Sequence, residues 1–371
     1  MSSERRRIGI LTGGGDCPGL NAVLRAVVRT ADTEAPDVEI VGIRNGFRGL
    51  ITNEMKALPS ASVSGILPRG GTILGSSNRD NPFDFHGVVD GAPLDGDVSG
   101  RAIAHAQAAG LQGIVVVGGD GPQLLAQRLA ERAASIGVDL GVVGVPKTID
   151  NDLRSTDRTF GFDTAVSICS EAIDRIHTTA ESHQRVMFVE VMGRTAGWIA
   201  LHAGLAAGGD VILIPEIPFT LDSIVDAVQA RAARGKSFSI VVVAEGARPR
   251  GGGEVFLEGH AAQRRFGGVA GQVADALEAR TGHESRTTIL GHVQRGGTPT
   301  AFDRILATRF GVCAAREAFA GRWGTMAALR GDRVIPVSLA DVVGAPRLVD
   351  PGGEMVSVAR AAGVRFGDEL G

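Results

Sequence analysis

The sequence predicts an α/β protein of two similar three-layer α/β/α domains, each with a mostly parallel sheet. A chain of 371 residues is longer than one hydrophobic core usually accommodates. Short apolar runs alternate with segments whose apolar residues have helical spacing. The runs are almost continuously apolar, which is typical of parallel strands that helices cover on both faces. We therefore expect ligands to bind in a cleft between the two domains.

The elements follow in chain order. Strands are predicted at 8–11, 40–43, 114–117, 140–145, 186–191, 211–214 and 239–244. Helices are predicted at 22–31, 100–109, 123–136 and 221–233. Residues 248–265 are interpreted as a surface loop or insertion, and 334–371 as a less patterned tail that packs on the second domain.

Composition excludes several classes of protein. A content of 44% hydrophobic and 21% charged residues is typical of a globular enzyme rather than a disordered chain. The net charge of −3 provides no broad basic surface for nucleic acid. The three cysteines form no CxxC pair, so neither a zinc site nor a disulfide framework is predicted. Without an apolar signal or membrane segment, a cytoplasmic location is expected.

Two glycine-rich loops each join a predicted strand to a predicted helix. They read Thr12-Gly13-Gly14-Gly15-Asp16 and Gly118-Gly119-Asp120-Gly121. Glycines let backbone N–H groups approach an anion, and a helix start adds a positive end. Neither loop matches a Walker A or dinucleotide fingerprint. They are either phosphate-binding loops, with Asp120 available for Mg²⁺, or tight turns.

A third candidate is the turn Pro146-Lys147-Thr148-Ile149-Asp150-Asn151-Asp152, which follows a predicted buried strand. Its two aspartates could divide the work of accepting a proton and orienting a metal or a substrate. A solvated turn is the alternative.

The second half of the chain contributes cations near strand ends. Arg185, Arg194 and Arg286 could each grip a phosphate, although any one alone could equally form a surface salt bridge. Glu245 ends a strand, where its carboxylate could accept a hydrogen bond from a sugar hydroxyl. His292 is either a ligand contact or a structural histidine.

Taken together, these segments resemble the 6-phosphofructokinase family, which has ATP- and pyrophosphate-dependent members. The resemblance covers residues 7–330. Its motifs are Leu11-Thr12-Gly13-Gly14-Gly15-Asp16-Cys17-Pro18-Gly19-Leu20-Asn21, Gly118-Gly119-Asp120-Gly121, Pro146-Lys147-Thr148-Ile149-Asp150-Asn151-Asp152, Ser182-His183-Gln184-Arg185, Glu190-Val191-Met192-Gly193-Arg194 and Gly291-His292-Val293-Gln294-Arg295-Gly296-Gly297.

The resemblance implies a role for each matching residue. Asp150 would be the general base that accepts the proton of the 1-hydroxyl of fructose 6-phosphate, with Thr148, Lys147 and Arg194 as further catalytic residues. Asp120 would hold Mg²⁺. ATP would contact Gly15, Asn78, Arg79, Gly119, Asp120, Gly121 and Pro122. The sugar phosphate would contact Thr148, Ile149, Asp150, Met192, Gly193, Arg194, Glu245, His292, Val293, Gln294 and Arg295.

The resemblance also implies assembly and domain roles. Arg185 and Arg286 would reach the sugar phosphate of a neighbouring subunit, so a homotetramer or homodimer with shared active sites is expected. Residues 1–161 and about 294–344 would bind the phosphoryl donor. Residues 162–293 and about 345–371 would bind the sugar phosphate.

Two positions bear on the donor, and they disagree. Gly121 is typical of ATP-dependent members, since an aspartate there would intrude on the α-phosphate of a nucleotide. Lys147 is typical of pyrophosphate-dependent members. Because a lysine need not exclude a nucleotide, ATP is predicted, with pyrophosphate as the alternative. Sedoheptulose 7-phosphate is a second possible acceptor.

Other classes fit less well. A catalytically inactive regulatory homologue, which would bind sugar phosphate without turnover, is disfavoured by the presence of Asp150, Asp120 and Arg194. An NAD or lipid kinase would lack the paired-aspartate turn, and an oxidoreductase would need a dinucleotide fingerprint.

Overall fold

The computed structural model describes residues 5–253, 256–257 and 265–369, and the chain divides into two compact units. The first unit comprises Met1–Thr148, Leu153–Asp163 and Arg295–Pro346. The second comprises Ile149–Asp152, Thr164–Gln294 and Arg347–Gly371. Half of the predicted insertion at 248–265, namely residues 254–255 and 258–264, lies outside the described residues. Which substrate each unit binds stays a prediction.

A seven-stranded sheet forms the centre of the first unit, in the order β15-β14-β7-β6-β1-β2-β3. The five inner strands are parallel, whereas β15 and β3 run antiparallel at the two edges. A separate hairpin consists of β4 and β5. The strands of this unit are β1 Arg6–Thr12, β2 Val38–Ile43, β3 Met55–Ala57, β4 Phe85–Val89, β5 Ala92–Gly96, β6 Leu111–Gly118, β7 Gly141–Pro146, β14 Thr325–Arg330 and β15 Arg333–Ser338.

Helices connect the parallel strands and bury their apolar residues against the sheet. They are α1 Leu20–Glu34, α2 Phe47–Ile51, α3 Ser99–Ala108, α4 Asp120–Ser135 and α9 Ala301–Phe319. The inner strands are apolar along their length, as β7 shows by being buried at every position. This pattern is the reason a parallel sheet with covered faces forms.

The second unit contains a four-stranded parallel sheet in the order β13-β8-β10-β9. Its strands are β8 Val186–Val191, β9 Val211–Leu213, β10 Ser239–Ala244 and β13 Ser285–Ile289, and a short antiparallel pair is β11 Phe256–Leu257 with β12 Arg265–Phe266. Its helices are α5 Phe162–His183, α6 Trp198–Ala206, α7 Leu221–Ala233, α8 Val269–Thr281 and α10 Glu354–Ala361.

The predicted fold class is confirmed: both sheets are mostly parallel and helices connect their strands. Every predicted strand and helix is present, with bounds that agree to within a few residues. Among the described residues, no helix combines the length and the apolar character needed to span a membrane.

Candidate active site

Three loops of the first unit meet around the glycines that follow β1. Gly13 N donates a hydrogen bond to Val117 O at 2.9 Å, and Gly14 N donates to Ser77 O at 2.9 Å. A Cβ atom on Gly13 would lie 3.2 Å from Pro122 Cβ. We call residues 13–16, 77–79 and 118–122 the glycine cradle. It contains all seven predicted ATP contacts: Gly15, Asn78, Arg79, Gly119, Asp120, Gly121 and Pro122.

Two cations lie against the glycine cradle. Lys147 Nζ donates to Gly15 O at 2.5 Å, and Arg295 Nη1 donates to Asp16 O at 3.2 Å. Lys147 is only 4% exposed, so its charge is poorly screened by water. The N–H groups at the start of α4, beside two positive side chains, are suited to bind a polyphosphate. The predicted sugar contact Arg295 thus lies beside Gly15 in the first unit.

Asp120 is the first residue of α4 and is exposed to solvent. The positive end of this helix favours an anion near its first turn. Mg²⁺ is usually bound through one or two protein carboxylates together with substrate phosphates, so a single aspartate here fits that ion. Within the described ranges there is no group of three or more His, Cys, Asp or Glu residues that could hold a metal by itself.

The side chain of Gln123, the fourth residue of α4, hydrogen-bonds the strand ends that precede the glycine cradle. This side chain is fully buried, and the two N–H groups of Nε2 are shared among three carbonyl oxygens, Val116 O at 3.2 Å, Gly118 O at 3.0 Å and Val145 O at 3.0 Å. This one amide therefore ties the carboxyl ends of β6 and β7 together. The sequence reasoning missed this residue; a polar side chain among apolar helix positions was the available signal.

The turn that carries Asp150 is buried and held from one side by Arg347. Asp150 is 5% exposed, and Asn151 has the left-handed backbone conformation, with φ of 52°. Arg347 N donates to Asp152 O at 2.7 Å, and Arg347 Nη1 donates to Asn151 O at 3.2 Å. These two bonds fix the backbone on the carboxyl side of Asp150. Thr148 and Ile149, also predicted contacts, are likewise buried.

Trp198 in turn fixes Arg347. The guanidinium carbon of Arg347 lies 4.3 Å from the centre of a Trp198 ring, a cation–π contact. Trp198 Nε1 donates to Arg347 O at 2.9 Å. Arg347 also escaped the sequence reasoning, because it lies in the tail that has no clear apolar pattern.

The turn after β8 presents Arg194 through its backbone conformation. Glu245 Oε1 accepts hydrogen bonds from Gly193 N at 3.3 Å and Arg194 N at 3.0 Å. Arg194 is left-handed, with φ of 53°, and its side chain is exposed. A Cβ atom on Gly246 would lie 1.9 Å from Arg194 O, so glycine is required there. Glu245 therefore holds the predicted residues Gly193 and Arg194 in place.

Gln294 organises the neighbouring predicted residues Met192 and His292. It is fully buried, and its Oε1 accepts from Met192 N at 3.2 Å and from Cys169 Sγ at 3.0 Å. Its Nε2 donates to Gly291 O at 2.9 Å. His292 and Val293, the next two residues, are exposed. Gln294 thus positions both segments, and its predicted contact with substrate stays a prediction.

Arg185 and Arg286 share one carboxylate. Arg185 Nε lies 2.9 Å from Glu284 Oε2, and Arg286 also pairs with Glu284. The Arg185 hydrogen bond is the largest cause that lowers the pKa of Glu284, so this carboxylate stays ionised. The cluster has one excess positive charge, and Arg286 is exposed. Its predicted use by a neighbouring subunit stays a prediction.

Comparison with known proteins places these features in one family. Residues 7–318 match the family model described as phosphofructokinase. A protein of Chloroflexus aggregans named ATP-dependent 6-phosphofructokinase is 50% identical over 371 residues, covering 100% of both chains. An Amycolatopsis methanolica protein named pyrophosphate–fructose 6-phosphate 1-phosphotransferase is 51% identical over 93% of this chain and 96% of its own length.

A solved structure extends the likeness to three dimensions. Phosphofructokinase from Saccharomyces cerevisiae superposes with a TM-score of 0.75 at 32% identity, over 91% of this chain. The chain spans 45% of the length of that yeast protein.

Proposed function

The chain belongs to the phosphofructokinase family, and we propose that it transfers the γ-phosphoryl group of ATP to the 1-hydroxyl of fructose 6-phosphate. The products are ADP and fructose 1,6-bisphosphate. Full-length identity of 48–50% to proteins named ATP-dependent 6-phosphofructokinase supports this activity.

The observation that carries the choice of donor is the open space at Gly121. A Cβ atom built there meets no atom within 4 Å, so the cradle leaves room beside the start of α4. An aspartate at this position would place a negative charge where the α-phosphate of a nucleotide would lie. Gly121 therefore supports ATP.

In the proposed mechanism, Asp150 accepts the proton of the 1-hydroxyl as that oxygen attacks the γ-phosphorus. The bond between this phosphorus and the β–γ bridging oxygen breaks, and the electrons leave with ADP. Lys147 and Arg194 are proposed to stabilise the negative charge on the transferring group, because phosphoryl transfer depends mainly on positioning and electrostatics. Mg²⁺, held by Asp120 and the donor phosphates, would neutralise phosphate charge.

The sugar phosphate is proposed to contact Glu245, His292 and Arg295, with Arg185 and Arg286 contributed by a neighbouring subunit. A homotetramer and a cytoplasmic location remain predictions of the same proposal.

Pyrophosphate is the second candidate donor, because Lys147 Nζ lies at the cradle, where it could bind a terminal phosphate oxygen. The test is an assay of the purified chain with fructose 6-phosphate and Mg²⁺, with ATP and pyrophosphate compared at equal concentrations. We expect turnover with ATP. Turnover with pyrophosphate but not with ATP would reverse the donor assignment. The absence of turnover with either donor would refute the proposed phosphofructokinase activity. Sedoheptulose 7-phosphate in place of fructose 6-phosphate measures the breadth of the acceptor site.

A further inference from the structure

A cavity of about 340 Å³ opens at the end of the seven-stranded sheet that is opposite to the glycine cradle. It is lined by the start of β7, by one face of α4 and by the segments that precede β14 and follow β15. The cradle residue Lys147 follows the last residue of β7, whereas Gly141 at the cavity is the first. A strand of this length spans roughly 20 Å, so the cavity is separate from the proposed active site and does not depend on the proposed function.

Trp323 is the largest side chain of the cavity wall. A Cβ atom on Gly141 would lie 2.0 Å from Trp323 Cδ2, and one on Gly113 would lie 2.5 Å from Trp323 Cη2. The indole thus lies directly on the backbones of β7 and β6, where only glycine leaves room for it. The buried residues Leu140, Val142 and Leu339 complete an apolar wall beside it.

The charged groups of the cavity have one sign. All twelve lining residues lie in the described part of the chain; Glu131 and Asp139 among them carry negative charge, and none is basic. Gln127 Nε2 donates to Glu131 Oε1 at 2.8 Å, which orients that carboxylate. Both acidic residues are exposed, so they lie where the cavity meets water.

We propose that this cavity binds a small organic cation, an amine or quaternary ammonium with an apolar or aromatic body. Three features select that class. A volume of this size accommodates a small molecule, an indole attracts ammonium groups through its π-face, and two carboxylates without a basic residue favour a positive ligand over an anionic one.

The two tryptophans of the chain provide a direct test. Protein labelled with 5-fluorotryptophan gives one ¹⁹F resonance for Trp323 and one for Trp198, and a Trp323→Phe variant assigns them. The protein is titrated with benzyltrimethylammonium, benzyl alcohol and phenylacetate, which have the same ring and charges of +1, 0 and −1. We expect a saturable shift of the Trp323 resonance with the cation, about tenfold weaker binding of the alcohol and no binding of the anion.

Variants separate the cavity from general surface charge. Glu131→Gln with Asp139→Asn should weaken binding of the cation to the level of the alcohol. Asp84→Asn with Asp95→Asn, on the β4–β5 hairpin, changes the net charge equally and should leave binding unchanged. Ala130→Phe fills the cavity and should abolish the shift, while a cooperative urea-unfolding transition followed at the Trp323 resonance, in the same unit as Ala130, reports whether that unit is folded.

Several results would overturn the proposal. They are the absence of a saturable Trp323 shift, equal binding of all three probes, or binding that persists in a folded Ala130→Phe variant. A shift that depends on protein concentration instead of probe concentration would show that a second copy of the chain covers the cavity.

Discussion

Gly121 lets the choice of donor be tested with little risk to the fold. A side chain there meets open space, and an acid in the first turn of α4 should stabilise the helix by about 0.3–1 kcal/mol. We expect Gly121→Asp to keep or slightly raise the melting temperature. Its carboxylate should lower kcat/KM for ATP by about 100-fold, since juxtaposed like charges cost several kcal/mol. Steady-state kinetics with ATP and with pyrophosphate measure both effects.

Gly121→Ala is the matched control, because it adds the Cβ atom without charge and should retain most ATP activity. An unchanged rate with ATP in Gly121→Asp would refute the steric and electrostatic account of donor choice.

Gln123 is the second residue at which a role can be tested alone. Gln123→Met keeps the length of the side chain but removes the donor to three buried carbonyls. Gly118 O keeps its hydrogen bond from Lys147 N, and Gln123 Oε1 has no hydrogen-bond partner of its own. The change should therefore cost about 1–3 kcal/mol in total, and unfolding by urea should need less denaturant. Because the cradle rests on these strand ends, KM for ATP should rise several-fold while KM for fructose 6-phosphate changes little.

Gln127→Met is its control on the next turn of α4, where the amide donates to Glu131. It should leave both KM values unchanged. Equal changes in the two KM values of Gln123→Met would indicate general destabilisation instead of positioning.

At the scale of elements, the strands and helices that the sequence predicted most accurately are those with a clear spacing of apolar residues. The bounds of β8, β10 and α7 were predicted to the residue, because their buried positions carry large apolar side chains. No prediction was made for α9, whose buried face is largely alanine and glycine. A Cβ atom on Gly311 would lie 2.7 Å from Ala26 Cβ of α1, so this helix packs by close backbone approach. Such packing leaves little hydrophobic periodicity in a sequence.

The motifs around the candidate site were recognisable from the sequence, as were the supporting residues Glu245 and Gln294, but Gln123 and Arg347 were not. Gln123 and Arg347 contact the motifs through hydrogen bonds to backbone carbonyls, and these bonds depend on three-dimensional placement instead of spacing along the chain.

Replacing Arg347 tests whether this side chain positions the turn that contains Asp150. Arg347→Met removes the bond from Nη1 to Asn151 O and the cation–π contact with Trp198. A small displacement of a catalytic group can cost about 100-fold in rate, so kcat should fall by about 10- to 100-fold while both KM values change less. Initial-rate assays at saturating concentrations of both substrates measure kcat.

Arg360→Met is the matched control in the same tail. Arg360 also stacks on an aromatic ring, Phe366, and pairs with Asp368 at 2.6 Å, and both of these partners lie in the tail itself and not in the Asp150 turn. If Arg360→Met lowered kcat as much as Arg347→Met, the effect would reflect loss of the tail and not positioning of Asp150.

At the scale of the whole molecule, the buried thiols predict how stability responds to alkaline pH. Burial is the main cause that raises the pKa of Cys17 in the first unit, and of Cys169 in the second, from 9.0 to about 12. Between these values the unfolded chain loses the thiol protons while the folded chain keeps them. Each thiol therefore leaves stability intact below pH 9 and removes about 1.4 kcal/mol for every pH unit between pH 9 and its folded-state pKa of about 12.

The chain contains no tyrosine, so the phenol titration that usually overlaps this range is absent. We expect the free energy of unfolding, measured by urea titration at pH 8, 9 and 10, to stay level to pH 9 and then fall. Cys17→Ala with Cys169→Ala should be less stable at pH 8, because each change leaves a small cavity. Its decline from pH 9 to pH 10 should nevertheless be shallower, because two of the titrating groups are gone. A decline as steep as that of the unaltered chain would mean that groups other than these thiols govern the alkaline limit of stability.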